Sequence, residues 1–140
     1  MKLVAKGLDH VAIVVADLDK AVAFYRDVLG LTLHEVEEVS EQQVKTAIFG
    51  TGMGRVELVA PTSEDSGVAR FLKKRGEGLH HICLEVADIE ATLAQLKASG
   101  APLIDEVPKA GAGGAKVAFI HPKGCHGVLT ELRQGPGRKS

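Results

Sequence analysis

The segment Leu8–Asp19, LDHVAIVVADLD, returns 71 residues later as Leu79–Glu90, LHHICLEVADIE. In this register His10 falls on His81, Ala16-Asp17 on Ala87-Asp88, and Leu18 on Ile89. The same offset sets Val44–Phe49, VKTAIF, over Ala115–Ile120, AKVAFI, matching Lys45 with Lys116 and Ala47 with Ala118. Further on, RVELVAP matches GVLTELR if the second copy carries three extra residues, which fall in the HPKGCHG loop; Glu57 then meets Glu131. Three matches in the same order identify two copies of a unit about half the chain long.

Each copy has the same grammar. HVAIVVA is a Val/Ile-rich strand. Asp17 offers an N-cap side chain, and Leu18, Ala21, Val22, Tyr25, Val28 and Leu29 follow at helical spacing until Gly30 ends the helix. Three strand candidates come next: LTLHEVEEV, VKTAIFG and RVELVAP. In the second copy Ile89, Leu93 and Leu96 mark the helix and Gly100 its stop, with strands near APLIDEV, AKVAFIH and GVLTEL. The expected fold is α+β, two tandem βαβββ units forming a curved mixed sheet around a cleft. One domain covers residues 1–140, with unit one at about 8–61, a linking helix at about 65–76 in SGVARFLKKRG, and unit two at about 78–133. The terminal GPGRKS is expected to fray.

Composition narrows the function classes. With 45% hydrophobic and 25% charged residues, the 140-residue chain has the make-up of an ordinary globular protein. Its net charge of -1 implies no polyanion, so no nucleic-acid partner is expected. No apolar run approaches the roughly 18 residues of a membrane span, and Lys6 and Asp9 interrupt the N-terminus too soon for a secretory signal. Cys83 and Cys125 make no disulfide framework, so a reducing, cytoplasmic location is expected.

The repeat places His10 and His81 at equivalent points on the first strand of each unit, and Glu57 and Glu131 on the last. Related by a pseudo-twofold axis, the four converge, and two imidazoles with two carboxylates suit a divalent first-row metal. A carboxylate among buried strand residues is costly unless it is paired or metal-bound, although alternation also allows each glutamate to face solvent on a one-sided sheet. Neighbours on a strand point to opposite faces, so in the doublet His80-His81 the copy of His10 turns toward the metal. His80, the copy of Asp9, is expected to turn away to a polar, solvated edge. His34 has no counterpart and reads as surface or pocket wall. In PKAGAGGAKVAFIHPKGCHG, Gly111, Gly113 and Gly114 permit close backbone approach, and Lys109, Lys116 and Lys123 flank them. Such a loop can cradle phosphate, or be a hairpin with solubilising lysines.

With LDHVAIVVADLDKAVAFYRDVLG, GVARFLKKRGEGLHHICLEV and PKAGAGGAKVAFIHPKGCHGVLTEL in view, the sequence resembles the vicinal oxygen chelate superfamily (glyoxalase/bleomycin resistance/dioxygenase), and within it the methylmalonyl-CoA epimerase family, from about Leu8 to Leu132. The last segment is the most specific for that branch. The resemblance implies His10, His81 and Glu131 as metal ligands. Glu57 fills a slot that is often glutamine in epimerases and glutamate in glyoxalase I. It implies one divalent ion (cobalt, zinc, nickel or manganese), an acyl-CoA substrate and a homodimer.

The implied reaction removes the proton between a thioester and a carboxylate and returns it on the other face. Two proton-transfer groups on opposite faces are needed. Glu131 is expected to be one, acting as ligand and base. In some epimerases the other is a glutamate on the strand VKTAIF, but here that slot reads Thr46, and a hydroxyl cannot act as a carboxylate base near neutral pH. Gln43 and Lys45 are nearby candidates. Lys109, Lys116 and Lys123 are expected to meet the CoA phosphates. The competing activities are a glyoxalase I-like lactoylglutathione lyase, mildly favoured by Glu57, and a non-catalytic ligand-binding member of the same fold.

Overall fold

The computed structural model describes residues 5–136. Eight strands form one mixed sheet in the order β2-β3-β4-β1-β5-β8-β7-β6. They are β1 (Ala5–Val14), β2 (Leu33–Val39), β3 (Val44–Phe49), β4 (Arg55–Pro61), β5 (Gly78–Val86), β6 (Lys109–Ala110), β7 (Lys116–Ile120) and β8 (Thr130–Gln134). Helices α1 (Leu18–Ala23), α2 (Gly67–Arg75) and α3 (Ile89–Ala98) complete the α+β architecture. None is long and apolar enough to cross a membrane.

The repeat is written into the register. At the centre β1 and β5 pair antiparallel, with Val11 opposite Ile82, residues that are each other's copies. The pseudo-twofold axis therefore passes through this pair. On the outer side of β1 runs parallel β4, and on the outer side of β5 runs parallel β8. Both helices of the repeat open on the same cap: Asp17 accepts from the Lys20 amide at 3.1 Å, and Asp88 from the Ala91 amide at 3.0 Å. Each helix then buries an apolar stripe on its half of the sheet. Leu18 and Val22 pack on Ala47, Phe49, Leu58 and Ala60; Ile89 and Leu93 pack on Ala118, Ile120 and Leu132.

Two elements depart from the sequence expectation. The first helix widens into a π-turn over Phe24–Val28, with the Leu29 amide donating to the Phe24 carbonyl at 3.0 Å. The expected strand in APLIDEV reduces to a single bridge, Leu103 to Ile120, and pairing resumes only in the two-residue β6. Pro102 has no amide to donate to a ladder, and Asp105 spends its carboxylate on the Phe119 amide at 2.9 Å. Of the terminal GPGRKS, residues 137–140 lie outside the described residues.

The sheet edges meet across the concave face through side chains. Glu41 Oε2 accepts from the Ala110 amide at 2.9 Å, and Gln42 Nε2 donates to the Ala110 carbonyl at 3.3 Å. Glu37 Oε1 accepts from the Gly113 amide at 2.8 Å. Gly113 has φ of +71°, which the turn Ala112–Gly114 requires and a Cβ would oppose. These bonds tie β2 and the turn after it to the glycine loop, across the open side of the cleft.

Candidate metal centre and its cleft

The register delivers the four expected ligands in two equivalent pairs. β4 sets Glu57 beside Ala12, and β8 sets Glu131 beside Cys83, the copy of Ala12. Across the central ladder Ala12 faces His81 and His10 faces Cys83. All four ligand candidates are buried. His81 Nε2 lies 3.1 Å from Glu131 Oε1, and His10 Nε2 lies 3.4 Å from the same oxygen. Glu57 Oε2 is 3.3 Å from His10 Nε2. Ligand atoms of His10, His81 and Glu131 all fall within 4.8 Å of one another. His10 Nε2 is nevertheless buried with no hydrogen-bond partner among the described residues.

Asp9 and His80 correct the sequence expectation. A break in the β1–β5 register between Leu8 and His10 turns two consecutive side chains inward, so Asp9 is 0% exposed rather than at a solvated edge. Its Oδ2 lies 2.7 Å from His10 Nδ1 and 2.8 Å from Arg55 Nη2. His80 does not turn away into solvent either. It is half-buried, its Nδ1 lies 2.7 Å from His81 Nδ1, and its ring meets Phe71 edge-on at 4.8 Å. Burial, with the His81 charge adding to it, lowers the His80 pKa to about 4. His80 therefore stays neutral near pH 7 and its Nδ1 is free to accept. The two copies act alike. Each receives the Nδ1–H of the histidine that follows it and leaves that histidine's Nε2 lone pair facing the carboxylates.

The electrostatics fit a cation. The buried carboxylates are Asp9, Glu57, Glu85 and Glu131, against Arg133 and the largely covered Arg55. Arg133 Nη1 pairs with Glu85 Oε1 at 2.7 Å and stands 3.9 Å from Asp9. With neutral imidazoles, four negative charges against two positive leave two uncompensated, the charge of one divalent ion. The protons respond to that deficit. Burial raises the Glu57 pKa, and the His10 charge only partly opposes it. Burial alone would lower that of His10, but the neighbouring carboxylates of Glu131 and Glu57 raise it. Glu131 shows the reverse balance: burial acts upward, while both histidines hold it well below the usual carboxylate range. Cys83, deep in the same cluster, is pushed far up by burial and stays a thiol. An orphaned imidazole nitrogen, two more donors within reach and a net charge of two fit a divalent metal with N/O ligands.

The centre lies in a cleft of about 420 Å³. Arg55 and Arg133 line it from below, Thr46 and Glu37 from unit one, and Gly113 and Phe119 from unit two. His34 is exposed on its wall, as expected. Gln43 and Lys45 are not on the wall: Gln43 ends a turn with φ of 55°, and alternation exposes Lys45 on the face opposite Thr46. The three lysines are not gathered around the glycine loop. Val117 lines the cleft, so Lys116 faces the other side, where it pairs with Glu90 of α3 at 3.0 Å. Lys109 pairs with Asp105 at 3.4 Å and lies 5.2 Å over the Phe119 ring, and Lys123 sits in the exposed turn Pro122–Cys125. The adjacency of Asp9 to His10 and of His80 to His81 was the available signal for the layer behind the ligands. Nothing in the repeat marked Arg55, Glu85 or Arg133.

Residues 9–119 match the Glyoxalase/Bleomycin resistance protein/Dioxygenase superfamily. The mitochondrial methylmalonyl-CoA epimerase of Homo sapiens is 44% identical over 128 residues, covering 91% of this chain and 73% of that one. The chain belongs to the methylmalonyl-CoA epimerase family. Within the family, an ethylmalonyl-CoA/methylmalonyl-CoA epimerase of Cereibacter sphaeroides is 41% identical, over 91% of this chain and 96% of its own. A methylmalonyl-CoA epimerase solved with methylmalonyl-CoA and ammonium superposes with a TM-score of 0.91 at 37% identity, covering 98% and 99% of the two chains. Relatives described as lactoylglutathione lyases are more distant, at 32% and 28% identity.

Proposed function

We propose that the chain interconverts (R)- and (S)-methylmalonyl-CoA with one divalent metal ion held by His10, Glu57, His81 and Glu131. The observation that carries this is the buried His10 Nε2, which has no hydrogen-bond partner among the described residues and lies 3.3 Å from Glu57 Oε2 and 3.4 Å from Glu131 Oε1. When bound, cobalt, zinc, nickel or manganese would supply Lewis acidity for an enolate formed beside the thioester.

The chain's own residues supply the rest. Asp9 and His80 fix both imidazole rings and their tautomers. Glu131 turns one oxygen, Oε1, to both imidazoles, so its Oε2 is the atom left to take and return the substrate proton. Arg55 and Arg133 keep positive charge on the cleft wall where the substrate carboxylate enters. For the CoA arm, the scattered lysines give way to a second groove of about 630 Å³ that shares His80 and His81 with the cleft. Arg70, Lys74 and Arg75 line it beside the exposed apolar Leu79 and Val128. None of these three cations has a carboxylate partner among the described residues. Cations without a carboxylate partner, beside an apolar floor continuous with the reaction centre, match a pantetheine chain that ends in phosphates. The reading includes a homodimer, tested by sedimentation equilibrium.

The test is incubation of the metal-loaded protein with one methylmalonyl-CoA epimer in deuterium oxide. Conversion to the other epimer with deuterium at the carbon between the carbonyls supports the proposal. Binding without exchange would identify a non-catalytic member of the fold, and turnover of a glutathione hemithioacetal in a parallel assay would identify a lyase.

A further inference from the structure

Epimerisation needs a proton group on each face of the substrate carbon, and Thr46 occupies the strand position where an acid was expected. The register shows what stands across from it. In the β2–β3 ladder Thr46 pairs directly with Glu37, and residues directly opposite in an antiparallel pair share a face. That face is the cleft: both side chains line it, Thr46 buried and Glu37 half-buried. Thr46 Oγ1 donates to the Glu37 carbonyl at 3.4 Å, so the hydroxyl supports the strand that carries the acid. Glu37 Oε1 is held by the Gly113 amide at 2.8 Å from the opposite wall, and Oε2 has no partner among the described residues.

The other titratable groups on the wall are already committed or remote. His10, Glu57, His81 and Glu131 form the ligand set, and His80 is bonded to His81. His34 and Glu35 are exposed. Glu131 stands on β8 in unit two, whereas Glu37 stands on β2, the far edge strand of unit one. The two carboxylates thus approach a bound substrate from different walls.

Resting on the epimerase reading, we infer that Glu37 is the second acid/base, taking over from the neighbouring strand the proton transfer that Thr46 cannot perform. In one direction the C–H bond breaks toward Glu131, which becomes a carboxylic acid, and the electron pair remains on the substrate as an enolate. Protonated Glu37 then gives its proton to the opposite face and becomes a carboxylate. The reverse direction exchanges the two roles, and no other reactant is consumed.

Glu37→Gln separates chemistry from architecture, because an amide oxygen still accepts the Gly113 N–H but cannot carry the proton. The variant is expected to keep the metal content and melting temperature of the parent and to lose epimerisation by about 10²–10⁴-fold. In deuterium oxide it is expected to label the epimer served by Glu131 without inverting it. Glu38→Gln, one residue along and on the exposed face opposite Lys45, is expected to keep full activity. Adding Thr46→Glu to Glu37→Gln is expected to restore inversion in part, since it returns an acid to the same wall. Inversion by Glu37→Gln within threefold of the parent would overturn the assignment, as would equal loss of labelling and inversion at full metal content. Failure of the parent itself to exchange any proton would instead sink the epimerase reading.

Discussion

His80→Ala and Asp9→Ala should weaken metal binding unequally, and the inequality follows from burial. Both residues receive the Nδ1–H of the next histidine, each at 2.7 Å. Losing such a partner behind a ligand typically costs 10–100-fold in metal affinity. His80 is half-buried on the wall of both the cleft and the neighbouring groove, so water can replace it. Its removal should sit at the lower end, about tenfold or roughly 1.4 kcal/mol. Asp9 is fully buried, and its removal leaves no room for bulk water and deprives Arg55 of a carboxylate at 2.8 Å. The affinity loss there should approach 100-fold, about 2.7 kcal/mol. Asp9→Ala should also destabilise the metal-free protein by about 1–3 kcal/mol, the usual penalty for leaving buried donors, here Arg55 and His10 Nδ1–H, without their acceptor. His80→Ala should change that stability little. Competition against a chromogenic chelator gives the affinities, and urea unfolding of the chelator-treated proteins gives the stabilities. Unchanged affinity in His80→Ala would refute the bonding inferred between the two histidines. Equal losses in both variants would refute the argument from burial.

Removing the metal should expose the charge deficit of the centre: the melting temperature should fall on chelation and recover with added divalent ion, by about 2.7 kcal/mol at 100 times Kd, read by differential scanning fluorimetry. Leu58→Ala, at a core position with 0% exposure between α1 and the sheet, should cost about 2–5 kcal/mol in urea unfolding while leaving metal stoichiometry intact in the folded fraction. Replacing Arg70 and Lys74 together by Ala should raise KM for the CoA thioester severalfold with little change in kcat; a larger KM effect from Lys109→Ala would return the phosphates to the glycine loop.

The parts of the site that the sequence disclosed are those the repeat doubles. His10 and His81, Glu57 and Glu131, and the caps Asp17 and Asp88 stand at matching positions, and the structure brings them together because the axis runs through Val11 and Ile82. Asp9 and His80 also match, but simple alternation assigns them to the wrong face. The register break beside Asp9 overrides that alternation, and no residue pattern in LDHVAIVV announces it. Lys116 is placed away from the cleft for the opposite reason: alternation holds strictly on β7 and carries it away from the loop it flanks in sequence. Arg55, Glu85 and Arg133 became visible only as a folded charge balance, because they meet from β4, β5 and β8.

Symmetry also explains why the second proton group was hidden. A metal ion accepts ligands related by a twofold axis, so duplicated halves provide them in pairs. The substrate has no such axis at its reacting carbon, with a thioester on one side and a carboxylate on the other. Groups that distinguish its two faces must therefore stand where the copies differ. Thr46 has Val117 as its counterpart, and Glu37 has Pro108, which carries no acid. Glu37 lies on a full-length edge strand, whereas the corresponding stretch of unit two is broken down to β6 and the glycine loop. That breakdown places the Gly113 amide opposite Glu37 and holds its carboxylate over the cleft. Every variant slows both directions of epimerisation alike, because the equilibrium between the epimers is fixed. Glu37→Gln should instead separate inversion from labelling, halting inversion while labelling at the Glu131 face continues.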